Sequence, residues 1–223
     1  MGDPIVSALG HLFVSHPWHG VPIGDGAPER VTVYVEMVPT DTLKYELDKD
    51  TGLLTVDRPQ KYSNVPPSLY GFVPRTLCAD AVAALFAEKT GQTDLVGDMD
   101  PLDICVITEK HIPHGNILVQ AEPVGGLRML DGNEVDDKVV AVLHGDAVYG
   151  DVREISELPP LLLDRLRHYF LTYKQGPDEA HRSCEITNVY GRTQAYTVIA
   201  RSQLDYEKRF GGLVPARAAI QKR

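Results

Sequence analysis

Apolar residues recur at every second position in VTVYVEMV (Val31 to Val38), which predicts a strand with Val31, Val33, Val35 and Met37 on one face and Glu36 on the other. In KYELDKDTGLLTVDR, Tyr45 and Leu47 face one way and Lys44, Glu46 and Asp48 the other. That alternation predicts two strands joined by a turn at Lys49-Asp50-Thr51-Gly52, a hairpin with one polar face. Residues 59 to 76 are dense in proline, glycine and aromatics and are expected to form a structured loop without a regular element. Ala81 to Lys89, followed by Gly91, predicts a short helix with a glycine stop. Downstream come four apolar stretches, ICVIT, ILVQAEPV, GGLRML and KVVAVL, each of strand length and separated from the next by turn residues. A small closed or nearly closed barrel accounts for them economically. The period then changes: after Pro159 and Pro160, Leu162, Leu166, Tyr169, Phe170 and Tyr173 recur at helical spacing, and Gln175-Gly176-Pro177 ends that helix. Ala195, Ile199 and Tyr206 place a second helix over roughly Arg192 to Phe210.

With 223 residues, 43% hydrophobic and 24% charged, the chain is expected to be one soluble globular domain over 1–223. It would carry an irregular N-terminal arm over about 1–30 and an insertion over about 78–96. Its 16 Pro and 19 Gly lie along the chain without a period and favour a β-rich fold over a helical bundle. A net charge of −9 with no block of Lys and Arg argues against nucleic acid as a partner. Cys78, Cys105 and Cys184 are odd in number and far apart, as expected of reduced thiols. The start, MGDPIVSALGHLFVSHPWHG, has no basic region ahead of a long apolar run, so neither a signal peptide nor a membrane span is expected. Val6 stands where an N-myristoylation motif beginning at Gly2 needs Ser or Thr. A cytoplasmic location follows as the expectation.

The chemistry concentrates in GDMDPLDICV, where Asp98, Asp100 and Asp103 precede an apolar strand. Carboxylates this close repel one another unless a cation neutralises them, and Mg²⁺ characteristically takes one or two and leaves its other positions to water and phosphate oxygens. A solvated acidic turn is the duller reading. An EF-hand fails, because Pro101 lies inside the loop, Leu102 and Asp103 occupy its fifth-ligand and glycine positions, and a strand follows. A second group, Asp131, Asp136 and Asp137 with Lys138, flanks a turn. It would form the opposite wall of one metal site if the barrel brings both loops to the same rim. Lys44 and Glu46, about 6.5 Å apart by strand rise, could reach the same cavity.

These motifs together resemble those of the soluble family I inorganic pyrophosphatases, over Glu36 to Lys174, about 60% of the chain. The family's Asp-x-Asp-Pro-x-Asp stands here as DMDPLD. Its first-strand glutamate resembles Glu36, its Lys-x-Glu pair Lys44 and Glu46, its Asp-Arg pair Asp57-Arg58, and its Tyr-Gly Tyr70-Gly71. Its paired aspartates and lysine match Asp131, Asp136 and Lys138, and its helix-ending Tyr-Lys matches Tyr173-Lys174. Each residue taken singly has a structural explanation, and their joint order carries the likeness. The resemblance implies an α+β, mainly β fold: a five-stranded OB-like barrel with flanking helices around a cavity that binds several Mg²⁺ ions and pyrophosphate. By that analogy Asp98, Asp103, Asp131 and Asp136 hold the metals, with Glu46 acting partly through water, and Asp100 orients and deprotonates the attacking water. A carboxylate of pKa about 4 is a poor base for bulk water but adequate for water that a metal has brought to about 7. Lys44, Arg58, Lys138 and Lys174 would meet the phosphoryl charge, and Tyr70 and Tyr173 would add hydrogen bonds. The resemblance implies a homo-oligomer as well.

The chain departs from the family's pattern in three places. Met99 replaces a small or polar residue, with the ligands expected to survive. Pro66 stands where bacterial members commonly place a phosphate-contacting tyrosine, so that contact is missing or supplied by Tyr62. The 78–96 stretch is longer than in compact bacterial members. Two rival readings remain: a broader Mg²⁺ phosphohydrolase, for which no P-loop or adenine motif speaks, and a metal- and phosphate-binding barrel without catalysis. The GDG at residues 24–26 is read as a turn, and the eight histidines as packing or surface residues.

Overall fold

The computed structural model describes residues 15–176, 178 and 183–211. The N-terminal arm expected over about 1–30 is irregular over 15–30, whereas residues 1–14 and Pro177 lie outside the described residues. Among the described residues ten strands and three α-helices follow in the order β1 (Val31–Met37), β2 (Leu43–Leu47), β3 (Leu54–Pro59), β4 (Leu69–Phe72), α1 (Asp80–Thr90), β5 (Val96–Gly97), β6 (Asp103–Ile107), β7 (Ile117–Asp131), β8 (Glu134–Val135), β9 (Lys138–Leu143), α2 (Pro160–Thr172), β10 (Cys184–Gly191) and α3 (Arg192–Phe210). β1 pairs with β4, β4 with β6, β6 with β9 and β9 with β7. The near end of β7 returns to β1, so five strands follow one another in a ring of pairings, the OB-like arrangement. The β2–β3 hairpin stands apart as a two-stranded sheet.

Alternation along these strands sorts side chains into different cores. Ile104 and Val106 of β6 join Val31, Val33 and Val35 in one cluster with α1 and α3, while Cys105 and Ile107 face the other way onto α2. Both faces of β6 are therefore covered, which is why it reads as an unbroken apolar run. Leu166 and Phe170, one helical turn apart, seat α2 on the barrel, each worth about 2–3 kcal/mol of apolar burial. Gly91 ends α1 in the left-handed region at φ 74°, as its glycine stop predicts.

Three sequence expectations need correction. Residues 59 to 76 contain β4, because Gly71 lets that strand press against β1, where any Cβ would collide with the Tyr34 carbonyl. ILVQAEPV and GGLRML form one 15-residue strand. Their glycine pair marks a bend with a register slip between Pro123 and Gly125, and Gly126 lies directly under the Tyr190 ring. β10, which pairs with the far half of β7, has no counterpart in the predicted elements. Its alternation is interrupted by polar residues at Thr187 and Asn188, so nothing local marks CEITNVYG as a strand.

Candidate active site

One end of the barrel opens into a cavity of about 210 Å³. β1 delivers Glu36, β2 delivers Lys44 and Glu46, and β4 delivers Tyr70. The loop into β6 delivers Asp98, Asp100 and Asp103, the end of β7 Asp131, and the approach to β9 Asp136 and Lys138. The turn after α2 delivers Tyr173 and Lys174. Twelve of the thirteen residues picked out from the sequence line this cavity. Arg58 does not. It pairs with its neighbour Asp57 and places its Cζ 6.0 Å from the centre of the Tyr173 ring, outside the lining set.

Local geometry explains the acidic loop. The Asp98 carboxylate accepts the Asp100 amide at 2.9 Å, an Asx turn, and Met99 takes the left-handed region at φ 64°. Behind the turn, the Asp100 carbonyl accepts the Cys78 amide at 2.8 Å and Met99 donates to the Cys78 carbonyl at 3.0 Å. Leu102, fully buried, donates to the Thr76 hydroxyl at 2.9 Å and anchors the next residue, Asp103, in register with Lys138 of β9. The loop thus turns its carboxylates outward because its backbone is tied down at the back.

Cations and carboxylates interleave. Lys138 contacts both Asp103 and Asp136, Lys174 contacts Asp131, Lys49 contacts Asp100, and Tyr70 donates to Asp103. Lys44 lies 3.5 Å from Glu46 and 3.1 Å from Asp57. Glu36 accepts the Leu47 amide at 2.8 Å, yet burial, with the Asp103 charge added, pushes it up to about 8. Burial and the Asp136 charge likewise raise Asp98, and burial raises Asp136 against the pull of Lys138. Burial works against the charge on Lys138, but Asp103 and Asp136 outweigh it and hold the ammonium protonated.

Sequence reasoning missed Lys49, Glu134 and Trp18, all of which line the cavity. Lys49 sits in the hairpin turn, where strand alternation gives no facing. Glu134 lies within the same DGNEVDD segment as its recognised neighbours, which was the signal available. Trp18, in the chain's single Trp-containing segment, is fixed by its indole N–H donating to the Thr76 carbonyl at 2.7 Å. Tyr62 is 71% exposed and outside the lining, so it does not supply the contact that Pro66 lacks.

The donor set has the chemistry of a hard divalent cation site: carboxylate oxygens crowded enough that burial and mutual repulsion raise several of them. Among the described residues no three such groups already surround one point, and lysine ammonium groups pair with the carboxylates there. Also among the described residues, no helix is long and apolar enough to cross a membrane.

The family model for inorganic pyrophosphatase matches residues 33–207. The inorganic pyrophosphatase of Chlamydia trachomatis serovar L2 is 47% identical over 199 residues, 87% of this chain and 95% of that one. Soluble inorganic pyrophosphatase 1 of Arabidopsis thaliana is 39% identical over 180 residues, 80% of this chain and 76% of its own. Among solved structures, the inorganic pyrophosphatase of Thermus thermophilus superposes with a TM-score of 0.72 at 27% identity, over 87% of this chain and 99% of that one. With the barrel, the cavity and these likenesses in agreement, the chain belongs to the inorganic pyrophosphatase family, hydrolases of pyrophosphate.

Proposed function

We propose that this cavity hydrolyses pyrophosphate to two orthophosphates by direct attack of water, with Mg²⁺ as cofactor. The carrying observation is the convergence of Asp98, Asp100, Asp103, Asp131 and Asp136 with four lysines on one cavity. Bound Mg²⁺ would neutralise the crowded carboxylates, lower the pKa of a water and offset charge on the phosphoryl oxygens. Asp98, Asp103, Asp131 and Asp136 are the residues to hold it, with Glu46 acting through water. Asp100 orients the attacking water and accepts its proton, as general base. Lys44, Lys138 and Lys174 place positive charge along the cavity against the two phosphates, and Arg58, paired with Asp57 outside the lining, would join them on turning from that pair. Burial holds the hydroxyls of Tyr70 and Tyr173 above the usual tyrosine range, so both remain donors at neutral pH. Glu36, hydrogen-bonded to Leu47, ties β1 to the hairpin that carries Lys44.

The same reading makes the protein a cytoplasmic homo-oligomer with no nucleic-acid or membrane partner, the assembly to be checked by mass in solution. Its test is phosphate release from pyrophosphate with excess Mg²⁺, compared with the same assay in EDTA and with ATP as substrate. Fast release on pyrophosphate that EDTA abolishes is expected. Equal rates on ATP would favour the broader phosphohydrolase, and silence from folded protein would favour a binding module.

A further inference from the structure

Behind the cavity wall lies an ion pair that no step above uses. Arg128 of β7 is 2% exposed and Asp137 is 3% exposed, with 4.0 Å between Nε and Oδ2. The guanidinium carbon sits 5.0 Å from the centre of the Tyr190 ring and 5.7 Å from that of Phe86, and an Nη donates to Gln194 at 3.4 Å. Neither Arg128 Nε nor the Tyr190 hydroxyl has a hydrogen-bond partner at normal distance.

Such a pair is a poor device for stability, because desolvating both charges offsets their attraction, and apolar residues of similar volume often serve as well. Its placement suggests another use. Asp137 accepts the Met129 amide at 3.3 Å, and the preceding residue, Asp136, donates its own amide to the Met129 carbonyl at 3.0 Å. In extended chain, successive side chains point to opposite sides. With Asp137 drawn back toward Arg128, its neighbours Asp136 and Lys138 turn forward, and both line the cavity.

We propose that Arg128 and Asp137 are positioning residues: their pairing locks the rotation of the 136–138 segment and so holds Asp136 in place to bind Mg²⁺. This rests on Asp136 being a cation ligand. Partners that orient a metal's ligands characteristically change affinity 10- to 100-fold when removed.

The test compares the full-length wild type with Arg128→Met, Asp137→Leu and the double variant. It reads Mg²⁺ affinity by calorimetric titration without substrate, and Tm separately. Each single variant leaves a buried charge alone and should lose Tm. The double variant should recover most of that loss yet bind Mg²⁺ on the order of tenfold more weakly than wild type. If its affinity recovers together with Tm, the pair is merely structural and the proposal is overturned. Should the double variant fail to fold, Asp137→Asn decides, since it keeps the shape and removes the charge. A Kd raised about threefold or more supports positioning, and an unchanged Kd overturns it. Wild-type protein that takes up no Mg²⁺ would sink both the reading of Asp136 as a ligand and this inference, an outcome distinct from variants that bind as wild type does.

Discussion

Apart from Asp137 and its Arg128, two sets of buried and half-buried carboxylates in this molecule are treated in opposite ways. Glu36, Asp98 and Asp136 lie at the cavity, where burial, with the Asp103 charge added, raises all three. Asp146 and Asp205 are as deeply placed, 8% and 3% exposed, but backbone amides point at them. Asp205 on α3 accepts the amides of Ala79, Ala81 and Val82 at the start of α1. Asp146 accepts those of Glu109, Val148 and Tyr149 together with the Thr108 hydroxyl. Burial alone therefore does not mark a functional carboxylate. What separates the sets is whether the protein itself answers the charge. Asp205 supplies acceptors for the orphan amides of a helix whose own N-cap, Ala79, has no side-chain acceptor. At the cavity the answering charges are lysines whose ammonium groups a substrate phosphate can also engage.

The largest test of this contrast is Asp100→Asn. A change of one atom at the cavity should leave Tm within a few degrees and lower kcat by on the order of a hundredfold or more, measured as phosphate release. Near-normal turnover would remove Asp100 from the role of base. The mirror-image result is expected at Asp205→Ala, which strands three α1 amides and should cost about 2–4 kcal/mol in chemical denaturation. The fraction still folded should turn over at the wild-type rate. A stable Asp205→Ala with impaired catalysis would erase the distinction between the two sets.

How far the sequence shows this division depends on range. Strand and helix periods mark β1, the hairpin, α1, α2 and α3, because burial on one face is written into consecutive residues. The ordered motif marks twelve residues of the cavity, because residue type and order are legible in the sequence itself. Features made by distant partners stay hidden. Gly71 looks like a loop glycine until Tyr34 lies against it, and Gly125-Gly126 looks like a turn until Tyr190 covers it. Asp136 and Asp137 are adjacent and chemically identical, and only the fold turns one to the cavity and the other to Arg128. Asp205 carries no local signal either, since the amides it accepts come from 123 to 126 residues away. Arg58 shows the converse: its motif order points to the cavity, and an ion pair with adjacent Asp57 holds it outside the lining.

The smallest expected effect lies at Asp146 and is visible chiefly in pH. Burial alone would raise this carboxyl, but the Thr108 hydroxyl and three amides outweigh it and draw it down to about 2. The folded state therefore favours the ionised form more than the unfolded chain does, where the value is near 3.8. Its contribution is full above pH 3.8, falls as acid protonates the unfolded chain first, and is gone below about 2. Asp146→Asn keeps the side chain's size, removes one ionised acceptor and should cost about 1–2 kcal/mol at pH 7. Between pH 4 and 2 the deficit should shrink, because the wild type loses there what the variant never had. Urea titrations of both proteins at pH 7, 4 and 3 measure this convergence. Parallel curves with an undiminished gap would show that the amides hold Asp146 by shape rather than charge, and would remove it from the carboxylates that the protein answers electrostatically.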